Sequence, residues 1–140
     1  MIRKLVFVAV ACALPVVAFA ASPVKPGKWT TTMQMEMPNM PMKMPPVTVT
    51  HCVTKEDAEN PEKYVPQQRS KNNDCKVSDF KIDGNTVTWK MACEKQKMTG
   101  EGKITYSSDS YDGTMHMNMP NGEMTAKYTG KYLGACDSDK

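Results

Sequence analysis

Through most of the chain apolar and polar residues alternate singly, which is the period of a half-buried β-strand. The run Trp29-Thr30-Thr31-Thr32-Met33-Gln34-Met35-Glu36-Met37 places Trp29, Thr31, Met33, Met35 and Met37 on one face and polar side chains on the other. Val47-Thr48-Val49-Thr50-His51 does the same, aligning Val47, Val49 and His51. Between them the segment from Pro38 to Pro46 carries four prolines, which lack backbone donors, so it reads as an extended connection outside any regular ladder. Only the stretch from Lys55 to about Val65 has helix signals. Thr54 can cap with Asp57 three residues on, and Asn60-Pro61-Glu62 offers a second cap with proline at the first helical position. One or two short helical turns are expected there, followed by a polar loop from Gln67 to Asp74.

Asp83-Gly84-Asn85 signals a tight turn, and a two-residue loop at Gly84-Asn85 pairs Ile82 with Val87 and Phe80 with Trp89. Further from the turn, Val77 and Cys75 have the opposite parity to Phe80 and Ile82, whereas Trp89, Met91 and Cys93 keep one parity. One extra residue at Ser78-Asp79, a bulge, restores agreement and sets Val77 against Met91 and Cys75 against Cys93. Three more strands follow, from Met98 to Tyr106, Tyr111 to Met119 and Met124 to Leu133, and the short loops joining them make an antiparallel meander. The fold class is therefore all-β. About seven antiparallel strands form a strongly curved sheet or small barrel with one short helical excursion, the first and last strands pairing to remove exposed edges.

The N-terminus changes the chemical context. A basic start (Arg3, Lys4), an apolar stretch from Leu5 to about Val17 and the small-residue end Ala18-Phe19-Ala20 have the form of a secretory signal peptide cleaved after Ala20. A lipoprotein leader using Cys12 fits less well, because the apolar stretch runs on past that cysteine. The expected organisation is a signal peptide over 1–20 and a single secreted β domain over 21–140, with a periplasmic or secreted bacterial location. With Arg3 and Lys4 gone, 18 basic residues become 16 against 15 acidic ones, a balance that argues against nucleic-acid binding. After the leader there is no apolar run of about eighteen residues, so no membrane-spanning helix is expected.

Export also decides how the cysteines read. Cys52, Cys75, Cys93 and Cys136 are an even set in an oxidising compartment, for which two disulfides are the default. The hairpin register favours Cys75 with Cys93 and leaves Cys52 with Cys136. Cys52 with Cys75, bracketing the helical excursion, is the rival pairing. A zinc site would need close thiolate spacing, and successive gaps of 23, 18 and 43 positions hold no C-x-x-C pair.

Twelve methionines follow the leader, most of them in two clusters: Met33, Met35, Met37, Met40, Met42 and Met44, then Met115, Met117, Met119 and Met124. Thioethers are soft ligands, and where thiols are tied up in disulfides they are the main side chains left for Cu(I). M-x-M spacing on a strand puts two side chains on one face about 7 Å apart. The competing reading is core packing. Outside the leader there are one Leu, two Ile, seven Val and one Phe, so another apolar side chain must fill the interior, and methionine fills irregular gaps well. Alternation predicts a methionine-lined inner face with His116 on the opposite side. Met40, Met42 and Met44, in the proline-rich connection, escape that argument and stand as ligand-loop candidates beside Met33, Met35 and Met37. His51 and His116 have no nucleophile nearby in sequence, and no catalytic signature is present.

Four segments also carry a resemblance: Pro26-Gly27-Lys28-Trp29 with the strand after it, Val47 to Ala58, C-K-V-S-D-F-K-I-D-G-N-T-V-T-W-K-M-A-C from Cys75 to Cys93, and Tyr128 to Cys136. Together they resemble the exported bacterial family catalogued as domain of unknown function 3617, over nearly the whole mature chain and all four of its cysteines. The resemblance implies a small exported protein and brings no activity, cofactor or site residue with it. The leading functional expectation is a non-enzymatic periplasmic binding or accessory protein, its methionines holding Cu(I) or another soft ligand. The alternatives are a structural or interaction module contacting an envelope protein, and a small binder of an apolar ligand lined by residues such as Trp29, Trp89 and Tyr111.

Overall fold

The computed structural model describes residues 22–38, 44–64 and 75–137. Seven strands and two short helices follow one another: β1 (Gly27–Glu36), β2 (Val47–Val53), α1 (Lys55–Glu59), α2 (Pro61–Tyr64), β3 (Cys75–Asp83), β4 (Thr86–Cys93), β5 (Met98–Tyr106), β6 (Ser110–Met119) and β7 (Gly122–Gly134). The leader, the polar loop through Asp74 and the ligand-loop candidates Met40 and Met42 lie outside the described residues. The helices begin where capping chemistry places them. The Thr54 hydroxyl accepts from the Asp57 backbone N–H at 3.1 Å and the Asp57 carboxylate accepts from the Thr54 N–H at 3.0 Å, a complete capping box.

The strands form one antiparallel sheet in the order β2-β1-β7-β6-β5-β4-β3. The expected pairing of first and last strands is present, since Thr31 of β1 stands opposite Gly130 of β7. It does not close a barrel, because β1 already holds β2 on its other side. β2 and β3 remain as edges, and no pairing joins them among the described residues. Curvature brings those edges toward each other instead. Ala58 of α1 shares the buried cluster with Val53 and Trp29, while Glu59, Pro61 and Glu62 share a cleft with Phe80 and Ile82 of β3. The ten-residue span from Lys55 to Tyr64, helical but for Asn60, reaches about 15 Å, whereas a flat seven-stranded sheet is about 29 Å across. The sheet must curl for the helices to touch both ends.

The β3–β4 hairpin turns at Gly84, whose φ of 58° is the left-handed value that glycine takes without strain. Its register sets Ile82 against Val87, Val77 against Met91 and Cys75 against Cys93, with the irregularity between Ser78 and Lys81. Asp79, at φ 52°, is the bulged residue. The disulfides are Cys75–Cys93, within the hairpin, and Cys52–Cys136, tying the edge strand β2 to the segment after β7.

The buried core is aromatic and aliphatic: Val24, Trp29, Val53, Ala58, Val87, Trp89 and Tyr106, with Phe80, Ile104, Tyr111 and Tyr132 packed against it. Large side chains fit on a pleated face because glycines on the neighbouring strand make room. A Cβ added at Gly102 would stand 2.2 Å from the Trp89 ring, and one at Gly130 would stand 1.9 Å from the Tyr111 ring. Each ring therefore lies flat over a glycine.

Candidate functional site

Because directly paired residues share a face, the pairings of successive strands define rows across the inner face. At one end Trp29 is flanked by Tyr132 and His51. The next row runs Val49, Thr31, Gly130, Tyr111, Tyr106, and the one after it Val47, Met33, Tyr128, Gly113, Ile104, Val87, Ile82. Beyond these come Met35, Ala126, Met115, Gly102, Trp89, and then Met124, Met117, Gly100, Met91, Val77. The inner face thus grades from aromatic to methionine along the strands. His116 pairs with Glu101 and Thr125 on the outer face, its Nδ1 3.1 Å from Thr125 Oγ1, as alternation predicts.

At the aromatic end the polar groups pair with one another. Trp29 donates its indole N–H to the Lys25 carbonyl at 2.9 Å, and the Lys25 ammonium sits 3.8 Å above the Tyr132 ring while bonding Asp109 at 2.8 Å. That hydrogen bond to Asp109 raises the Lys25 pKa. Tyr111 and Thr31 share a short hydroxyl hydrogen bond. Burial pushes the Tyr111 phenol up, with the Thr31 bond opposing, and burial together with the proximity of Tyr111 pushes Tyr128 up. Trp89 is 95% buried, and its indole N–H has no hydrogen-bond partner among the described residues.

The methionines share the inner face but not the core. Every described methionine is half-buried. None belongs to the buried cluster or to the residues packed against it. The buried cluster is thus built from tryptophans, tyrosines and valines, and the methionines lie on the same face outside it, which departs from the packing reading of their alternation. The physical reason is that aromatic rings, Trp89 over Gly102 and Tyr111 over Gly130 among them, fill much of the curved interior.

Of the ligand candidates read from sequence, Met33, Met35 and Met37 lie in line along β1 and just after it, Met33 between Val47 and Tyr128 and Met35 beside Ala126. Strand pairing brings none of these three against another. Met44 is half-buried just before β2. The cross-strand gathering occurs elsewhere, where Met91, Met117 and Met124 share a row with Gly100. A Cβ at Gly100 would stand 3.3 Å from Met91 Cγ and 3.2 Å from Met117 Cγ, so both stems lean into the space this glycine leaves. Met115, one row away, has its sulfur 3.9 Å from the Tyr128 hydroxyl. The signal missed in the sequence is the G-x-G at Gly100 and Gly102, since glycine inside a strand marks a close approach.

The outer face carries threonine and lysine rows and a shallow cleft of about 370 Å³ lined by residues including Lys81, Lys90, Lys103, Asp79, Glu101 and His116. Its charges partly cancel: Lys90 is paired with Asp79 at 3.1 Å. Among the described residues no three His, Cys, Asp or Glu side chains cluster as a metal site, and no helix is long and apolar enough to cross a membrane.

These features define a small disulfide-linked β-protein with half-buried methionines along its inner face. Residues 24–136 match the family described as a protein of unknown function, DUF3617, and the chain belongs to that family. No curated protein and no solved structure matches the chain.

Proposed function

We propose that this protein is an exported, non-catalytic binding protein that holds Cu(I) on the methionine-lined end of its inner face. The observation that carries the reading is that the methionines line the same face as the core yet stand outside it, half-exposed, while the four cysteines outside the leader are spent on two disulfides. Thioethers bind soft monovalent copper in preference to harder divalent ions, and a half-buried apolar rim lowers the local dielectric and limits water at a bound ion. The signal-like leader fits use in an oxidising compartment. Titration of the disulfide-intact protein with Cu(I) against a colorimetric Cu(I) chelator tests it. Stoichiometric withdrawal of copper from the chelator is expected, and no withdrawal overturns the reading.

A second reading is favoured by Trp89, whose buried N–H has no partner among the described residues: a small apolar ligand bearing one hydrogen-bond acceptor. Native mass spectrometry of the protein purified without added metal separates the two, through a copper mass or an organic mass.

A further inference from the structure

The copper reading does not name the sulfurs that bind, and the register selects Met117 and Met124 from the second sequence cluster and adds Met91, which lies in neither. We infer that the ion is held by Met91, Met117 and Met124 over Gly100, an inference that rests on the copper reading and narrows it to one row. Three strands supply one thioether each: β4, β6 and β7. Met117 and Met124 are a direct cross-strand pair, with Cβ atoms about 4.5–5.5 Å apart, within reach of two flexible methionine arms. Met91 comes from the far side of β5, and the missing side chain at Gly100 lets its stem approach that of Met117. Both Cγ atoms, of Met91 and Met117, stand against the point where a Gly100 Cβ would lie. Gly100 itself is half-buried and outside the buried core cluster. Met115 is a poorer ligand, its sulfur facing the Tyr128 hydroxyl, and the in-line methionines of β1 lack a cross-strand methionine partner.

The site gives Gly100 a role beyond making room for the Met91 and Met117 stems. A methyl group there would enter the gap between the Met91 and Met117 stems and the His116 carbonyl, 3.0 Å away, pushing the sulfurs apart while removing none of them. Gly100→Ala is therefore a ligand-free way to disturb the site.

The test compares Cu(I) affinity, by chelator competition on the disulfide-intact protein, among the parent, M91L/M117L/M124L, M33L/M35L/M37L and G100A. Leucine keeps the apolar bulk and deletes the sulfur, and circular dichroism confirms that each variant is folded. The row variant should lose about a hundredfold or more in affinity, G100A about tenfold, and the β1 variant less than about threefold. X-ray absorption of the copper-loaded parent should show a sulfur-only first shell. If the parent binds copper and the row variant binds equally well, the assignment to this row is overturned while the copper reading stands. If the parent does not compete for copper at all, both fall together.

Discussion

The Tyr111 hydroxyl reaches across β7 to Thr31 of β1, its ring lying over Gly130, so that one hydrogen bond ties strands that are not neighbours. The contact exists because Gly130 has no side chain, and because curvature turns the two hydroxyls toward each other on the concave side. Thr31→Val and Tyr111→Phe should each cost about 1 kcal/mol, with a coupling of similar size in a double-mutant cycle read by urea unfolding. Strictly additive effects would show that the bond is energetically idle.

Gly130→Ala should be more damaging than an ordinary surface change. Its Cβ would stand 1.9 Å from the Tyr111 ring, so the ring must leave its seat, a cost of about 1–3 kcal/mol. Combining it with Tyr111→Ala should add little beyond the cost of Tyr111→Ala alone, because the clash is then gone. Thermal unfolding of the single and double variants checks this.

Alkaline pH should destabilise the fold through its tyrosines. Burial raises the pKa of Tyr111 and of Tyr128 above the ordinary 10.0, so the unfolded chain releases these protons at lower pH than the native state does. Stability contributed by keeping them protonated is complete below pH 10.0 and is lost as pH rises through the folded values. Urea midpoints should fall in that window, and Tyr111→Phe should flatten the fall. An unchanged slope in the variant would assign the effect to other groups.

The two disulfides should differ in worth. Cys52–Cys136 closes a separation of 84 residues and Cys75–Cys93 one of 18. On a chain-entropy estimate their loss costs about 4.5 and about 3 kcal/mol. Paired serine substitutions compared by denaturant unfolding test the order. Losing Cys52–Cys136 also frees the edge strand β2, whose Val47 and Val49 are exposed, so aggregation should accompany it.

Much of the fold was legible in the sequence because its strands alternate cleanly and its turns carry strong local chemistry. The Gly84-Asn85 turn and the bulge at Asp79 set the register that places Cys75 against Cys93, and the Thr54–Asp57 box starts α1 where read. Closure was not legible, since whether an edge strand is added outside β1 depends on long-range pairing that no local pattern records. The candidate site was half legible. Parity placed the methionines on one face and His116 on the other, but sequence clustering drew the eye to Met33, Met35, Met37, Met40, Met42 and Met44, which are near in the chain. Met117 and Met124 face each other across the β6–β7 hairpin, but Met91, distant in sequence, joins their row only through the register of four strands. Gly100, a strand glycine of no local consequence, is what joins them.

The most direct measurement of the central claim is methionine methyl NMR of the labelled, disulfide-intact protein during Cu(I) titration, each methyl assigned by Met→Leu substitution. The account predicts that the Met91, Met117 and Met124 methyls shift together and saturate at stoichiometric copper while those of Met33 and Met35 stay in place. Copper-induced shifts absent from all the methionines, or confined to those of the proline-rich connection, contradict it.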